Sequence, residues 1–211
     1  MATSPKDPSH STSNIIDPSK VKGPKGAVPA HWKNVLDSEA VSRAVARISY
    51  EILERDPESK KLAIVGIRTC GEFIGKRLRD RISEMEGIDV PFGVVDITLY
   101  RDDLSSSTNQ PVLKGTDLPF TVSGSRIILV DDVFYTGRTV RAALDAVIDF
   151  GRPACVELAT LVDRGHRELP IRPDFVGKNI PTSRSDSVKV RLAEQGFEDS
   201  VYIVNHDSKE S

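Results

Sequence analysis

Apolar residues recur along the chain with two different periods, and their alternation predicts the architecture. Val41, Ala44, Val45, Ile48 and Ile52 follow the capping pair Asp37-Ser38 at helical spacing, so a first amphipathic helix is expected from there to about Arg55. Residues 62–67 are a continuous apolar run ended by Gly71, which suits a parallel strand buried on both faces. Ile74, Leu78, Ile82 and Met85 mark a second helix, and residues 92–99 a second strand. A polar stretch without periodicity follows, from Tyr100 to about Pro111. Residues 126–130 form the clearest buried strand; they run into Asp131-Asp132, a glycine-containing turn and a helix carrying Val140, Leu144, Val147 and Ile148. Residues 155–162 read as another strand and 163–184, rich in Pro, Arg and Gly, as irregular chain. Two short strands close the pattern, at 187–192 and 201–204. Strands alternating with helices predict an α/β protein whose mostly parallel central sheet is flanked by helices.

Composition narrows the class. With 211 residues, 38% of them hydrophobic, the chain can bury one full-sized core. Residues 1–32 are too polar to offset their ordering entropy and are expected to be a disordered extension; a single domain spans 33–205, and 206–211 form a tail. No run of eighteen apolar residues suggests a membrane span, and the N-terminus lacks the apolar core of a signal peptide. Cys70 and Cys155 stand far apart without metal-ligand spacing, as expected in a reducing cytoplasm. The net charge of −2 argues mildly against a dedicated nucleic-acid binder but leaves room for a local basic face.

The chemistry concentrates in residues 127–139, a buried strand followed by two acids and a small-residue loop that opens a helix. In an open α/β sheet ligands bind at that edge. Backbone N–H groups of Val133, Phe134, Tyr135, Thr136, Gly137, Arg138 and Thr139 can turn inward, Gly137 allows close approach, and Thr136 and Thr139 add hydroxyls: a phosphate cradle. Asp131 and Asp132 would repel a bare phosphate, but a phosphorylated sugar satisfies both halves, with its hydroxyls on the acids. The bland counterpart, a solvated helix cap, does not need the whole string. An acidic response-regulator pocket would put its acids at the first strand and a lysine at the last.

The string resembles the phosphoribosyl-diphosphate motif of type I phosphoribosyltransferases. That resemblance implies that Asp131 and Asp132 address the ribose and that 133–139 hold the 5′-phosphate. It also casts residues 66–71, with Arg68, Thr69 and Cys70, as the diphosphate loop. There the family pattern is Thr-Arg-Gly and this chain reads Thr69-Cys70-Gly71, so a cation is missing beside Arg68. Its loss would slow turnover ~10- to 1,000-fold unless a neighbour compensates. Residues 96–104 match the start of the family's closing loop, with Arg101 as the arginine that would reach the diphosphate. Residues 161–171 and 177–182, including Arg164 and His166, match the base-covering hood of the PyrR family, placed here near 164–200.

Membership of that family implies a uracil phosphoribosyltransferase that forms UMP and diphosphate from uracil and phosphoribosyl diphosphate. Asp131, Asp132 and Arg101 would be its catalytic side chains, with Arg164 and the segment near Val188 reading the base. Mg²⁺ would be carried by the substrate, not by a protein metal site. The family also implies a homodimer or homotetramer and a UMP-responsive grip on a pyrimidine-operon mRNA hairpin. Arg43, Arg47, Arg55 and Arg152 are candidates for that face, although a solvated helix surface explains the first three equally well. Two rival expectations keep the fold: a purine phosphoribosyltransferase, which the hood block argues against, and a weakly catalytic UMP sensor, which Cys70 keeps open.

Overall fold

The computed structural model describes residues 28–29, 31–56, 61–97 and 115–205. The expected N-terminal extension up to residue 27, the tail from 206 and Arg101 lie outside the described residues. The boundary expected at residue 32 falls at the start of a strand, β1 (Trp32–Leu36), in a stretch to which the apolar pattern assigned no element. Its only signal is one half-buried face, Trp32 to Leu36, too short to show alternation.

Helix α1 (Ser38–Arg55) starts where Asp37 accepts the Ala40 N–H at 2.8 Å, and buries Val41, Ala44, Val45, Ile48, Ser49 and Ile52. Because that carboxylate satisfies an otherwise unpaired first-turn amide, Asp37→Ala is expected to destabilise the fold by about 1 kcal/mol, read as a lower urea midpoint with unchanged slope. The chain continues through β2 (Leu62–Ile67), α2 (Cys70–Glu86), β3 (Phe92–Val95), β4 (Arg126–Phe134), α3 (Arg138–Ile148), β5 (Cys155–Asp163), β6 (Phe175–Asn179), β7 (Ser187–Arg191) and β8 (Ser200–Val204).

Five strands pair in parallel in the order β3-β2-β4-β5-β6. Both faces of this sheet are covered. Ile64, Ile128 and Val130 join the α1 and α2 side, while Val65, Ile127 and Leu129 join the α3 side, which is why β2 and β4 read as unbroken apolar runs. A second, antiparallel sheet of order β1-β8-β7 packs its inner residues, Leu36 and Val201, into the α1–α2 cluster.

Two expectations are corrected. β4 does not end at Val130: Asp131 pairs with Thr160, Val133 with Val162 and Phe134 with Asp163, so both acids sit inside the strand. Ladder pairing with β5 overrides the low strand preference of aspartate. The stretch 163–184, expected to be irregular, contains β6. Gly177, which argued against a strand, lies so close to the Leu161 backbone that an added Cβ would stand 2.4 Å from its carbonyl oxygen.

The chain leaves β2 toward β3 on one side and returns to β4 on the other. The carboxyl ends of β2 and β4 therefore frame the switch point of the sheet, where open α/β folds leave a crevice.

Candidate active site

Each strand at that crevice opens a helix. α2 begins at Cys70 behind Thr69, and α3 at Arg138 behind Gly137; neither start has a side-chain cap. The Arg138 N–H donates to the Thr136 hydroxyl at 3.4 Å. Two helix N-termini without side-chain caps thus flank one crevice, and each attracts negative charge.

Glycines bring the α2 start this close. A Cβ on Gly66 would stand 2.5 Å from the Glu72 Cα, and one on Gly71 would stand 2.5 Å from the Val130 carbonyl oxygen and 3.0 Å from the Asp131 Cα. Gly137 takes φ 93°, in the left-handed region that suits glycine, and turns the chain from β4 into α3.

Between the two helix starts lies the acid pair. Asp131 is buried, and its Oδ1 accepts the Asp132 N–H at 2.9 Å; Asp132 is half-buried. Burial first, and then the charge of Asp132, push the Asp131 carboxyl well above its ordinary range. Cys70 faces the same pair. Its thiol interacts with the Asp132 carboxylate and with Gln195, and burial followed by the Asp132 charge pushes it up to about 12. A thiol so placed stays protonated at neutral pH, so it is no nucleophile.

Arg68, the neighbouring cation, is half-exposed and pairs with Glu72 at 3.5 Å and Asp96 at 3.8 Å; the peptide joining it to Thr69 is cis. Val133 is half-buried, Phe134 is buried in the α3-side core, and Tyr135 and Thr136 line the crevice side half-exposed, with Thr139 exposed on the first turn of α3.

The hood is tied to this loop. The Thr136 carbonyl accepts the Glu168 N–H at 3.0 Å and the Leu169 N–H at 3.3 Å, and Arg138 Nε donates to Glu168 at 3.0 Å. Arg164 stacks on Tyr135, 4.0 Å from the ring centre, and donates to the Thr182 hydroxyl and to the Ser183 and Asp186 carbonyls. Its guanidinium therefore organises the hood from within. His166 adopts φ 62° and meets the Thr182 carbonyl at 2.6 Å. Asp163 accepts the Gly165 N–H at 2.9 Å and pairs with Arg167. A cavity of about 430 Å³ opens among Asp163, Arg164, Gly165, His166, Arg167, Asn179, Pro181 and Thr182, at the carboxyl ends of β5 and β6. Val188, on β7, packs half-buried against the α1–α2 core.

The candidate RNA arginines do not form one free basic face. Arg43 pairs with Glu39; Arg47 pairs with Glu51 at 2.6 Å and donates to the Val176 and Gly177 carbonyls. Arg55 pairs with Glu157 at 2.9 Å and Asp174 at 3.1 Å, and Arg152 is exposed at the far end of α3's connection. Sequence patterning missed Glu72 and Gln195. The first has a signal, its i,i+4 spacing from Arg68. Gln195 comes from over a hundred residues away and has none.

An acid pair between two phosphate-ready helix starts, on a parallel sheet, defines the phosphoribosyltransferase class, and residues 31–195 match the phosphoribosyl transferase domain family. Solved hypoxanthine phosphoribosyltransferases share the fold. The Trypanosoma cruzi structure superposes with TM-score 0.65 at 16% identity, covering 83% of this chain and 96% of that one. A Staphylococcus aureus structure gives 0.56 at 19%, covering 74% and 80%. Much closer in sequence is the Bifunctional protein PyrR of Listeria monocytogenes serotype 4b, 57% identical over 174 residues, 81% of this chain and 95% of that protein. The PyrR of Deinococcus deserti is 56% identical over 169 residues, 80% and 92%. The chain belongs to the PyrR family. Among the described residues no helix is long and apolar enough to cross a membrane.

Proposed function

We propose that this chain transfers the phosphoribosyl group of phosphoribosyl diphosphate to uracil, forming UMP and diphosphate, and that its UMP-bound state also governs binding to a pyrimidine-operon mRNA hairpin. The observation that carries the catalytic half is the acid pair between the two uncapped helix starts. Phosphoribosyl diphosphate has two phosphate-bearing ends joined by a ribose diol, and the crevice offers an anion site, a pair of acceptors and a second anion site in that order.

In this reading the amides of residues 135–139 and the Thr136 and Thr139 hydroxyls hold the 5′-phosphate, while Thr69, Cys70 and the α2 start meet the diphosphate. The ribose hydroxyls donate to Asp131 and Asp132, which fixes the ring and sets negative charge beneath it as the bond to diphosphate lengthens. A sugar in that state carries oxocarbenium character, so nearby carboxylates stabilise it more than the ground state. Arg68 reaches the diphosphate once its pairing with Glu72 and Asp96 is exchanged for phosphate, and Arg101 is the second arginine assigned to it by the family resemblance. Mg²⁺ carried in on phosphoribosyl diphosphate would supply the positive charge that offsets the departing diphosphate. Mg²⁺ prefers phosphate oxygens and retained waters, so the donors that suit it are those of the substrate, with the Asp131 and Asp132 carboxylates as protein oxygens of the same hard character. The hood, held by Arg164, closes over the base, with the backbone near Val188 available to its carbonyl and N–H edges.

For the regulatory half the support is family membership. Arg43, Arg47 and Arg55 would have to exchange carboxylates for phosphates, whereas Arg152 would not. A dimer or tetramer is the expected assembly.

The decisive assay is UMP formation from uracil and phosphoribosyl diphosphate, with hypoxanthine as the competing base. Mg²⁺-dependent turnover on uracil is expected, with Cys70→Arg raising kcat/KM by about tenfold. Turnover on hypoxanthine in place of uracil, or no turnover and no UMP binding, would sink the uracil assignment.

A further inference from the structure

The turn from β4 into α3 is held from the side of β5. The Phe134 carbonyl accepts the Arg164 N–H at 3.1 Å, and two residues on the Thr136 carbonyl accepts the N–H groups of Glu168, at 3.0 Å, and Leu169, at 3.3 Å. A trans peptide is planar, with its C=O and the following N–H on opposite sides. A carbonyl drawn toward the hood therefore turns the next amide away from it, the Tyr135 N–H behind Phe134 and the Gly137 N–H behind Thr136. Away from β5, on the other side of β4, lies β2 and the crevice between the two strand ends.

The first residue of α3 is held as well. The Glu168 carboxylate accepts from Arg138 Nε at 3.0 Å, so one hood residue grips the turn twice, by its main chain at Thr136 and by its side chain at Arg138. Gly137 lies between the two grips. A methyl on it would stand 3.5 Å from the Leu169 Cβ and 3.7 Å from the Ile171 Cβ, so the hood packs on the turn without crowding it. The Glu168–Arg138 pair is exposed, 44% and 62%, and such pairs add little to overall stability. The carboxylate also opposes, by its charge, any anion held on the neighbouring amides. It weakens phosphate binding unless its grip on the turn outweighs that repulsion.

We propose that Glu168 is a positioning residue for the 5′-phosphate: bridging the Thr136 carbonyl and Arg138, it fixes the turn with the Gly137 N–H aimed at the crevice. The proposal rests on the reading that residues 135–139 hold that phosphate, and Glu168 itself touches no substrate in it. The hood then serves both ends of a nucleotide. The part organised by Arg164 covers the base, while Glu168, four residues on, sets the amides that meet the phosphate.

The test uses the full-length chain and combines calorimetric titration with UMP, the steady-state KM for each substrate, and thermal unfolding. Glu168→Ala is expected to weaken UMP binding and raise the KM for phosphoribosyl diphosphate, each about fivefold, with Tm and the KM for uracil essentially unchanged. Glu168→Gln keeps an oxygen for Arg138 and should stay within about twofold of wild type. In an Arg138→Ala background Glu168→Ala should add nothing further, because the carboxylate acts through that guanidinium. UMP affinity that holds or rises in Glu168→Ala, a KM for uracil that rises equally, or an undiminished loss in the Arg138→Ala background would overturn the proposal while leaving the enzyme assignment intact. A wild type that binds no UMP would overturn the assignment itself, and this proposal with it.

Discussion

Asp131→Asn is expected to lower kcat/KM by about a hundredfold or more and, at neutral pH, to make the folded chain more stable. Both effects come from one buried carboxyl. Its charge lies where the ribose would become cationic, so an amide of the same shape keeps the contact with the Asp132 N–H but loses the electrostatic part. The same charge is costly to the empty protein, since burial and then Asp132 hold the Asp131 carboxyl above its ordinary value of 3.8. As pH rises past that value the unfolded chain releases the proton while the folded chain keeps it, so wild-type stability falls until the raised folded value is passed. The asparagine variant has no such proton to lose. Its advantage is therefore absent near pH 3 and complete once the wild-type carboxyl ionises in the folded state, with a gain of about 0.5–2 kcal/mol. Urea midpoints at pH 3 and pH 7 distinguish this from a simple packing change, which would give the same difference at both.

Gly71→Ala is expected to destabilise the fold by about 3 kcal/mol and to abolish detectable phosphoribosyl diphosphate binding. The added methyl would stand 2.5 Å from the Val130 carbonyl oxygen, so backbone, not a flexible side chain, has to give way. Relief comes only by moving the α2 start away from β4, which separates the anion site from the acids. Gly75→Ala is the control. Its nearest neighbour is the Phe92 ring at 3.2 Å, and the helix gains about 1 kcal/mol from losing a glycine, so a near-neutral result is expected. Equal losses in the two variants would show that the close approach at Gly71 has no special role.

Much of this was legible in the chain. The apolar periods marked α1, β2, α2, β4, α3 and β5 because each buries a long face or two faces. β1 and β6 escaped: five residues at an edge show little pattern, and the glycine in β6 serves a close backbone approach that composition cannot distinguish from a turn. The acid pair and the loop that opens α3 could be read because their residues are contiguous. What surrounds Cys70 could not, since Asp132 and Gln195 come near it only once the sheet and the segment after β7 have folded. The engagement of Arg43, Arg47 and Arg55 divides in the same way. The first two have i,i+4 acids, but the partners of Arg55 on β5 and just before β6 are visible only in the fold.

The pairing of β2 with β4, in which Gly66 stands opposite Val130, has a further consequence. The two proposed anion sites are carried on the ends of these strands, so the span between them is set by backbone register and not by any side chain. A slip of one residue would displace one site against the other by about 3.3 Å, far beyond the roughly 1 Å that costs a positioned reaction a hundredfold. The ladder acts as the enzyme's ruler. Substitutions around the crevice can alter what is held there, but the length of the molecule that fits is written into the sheet.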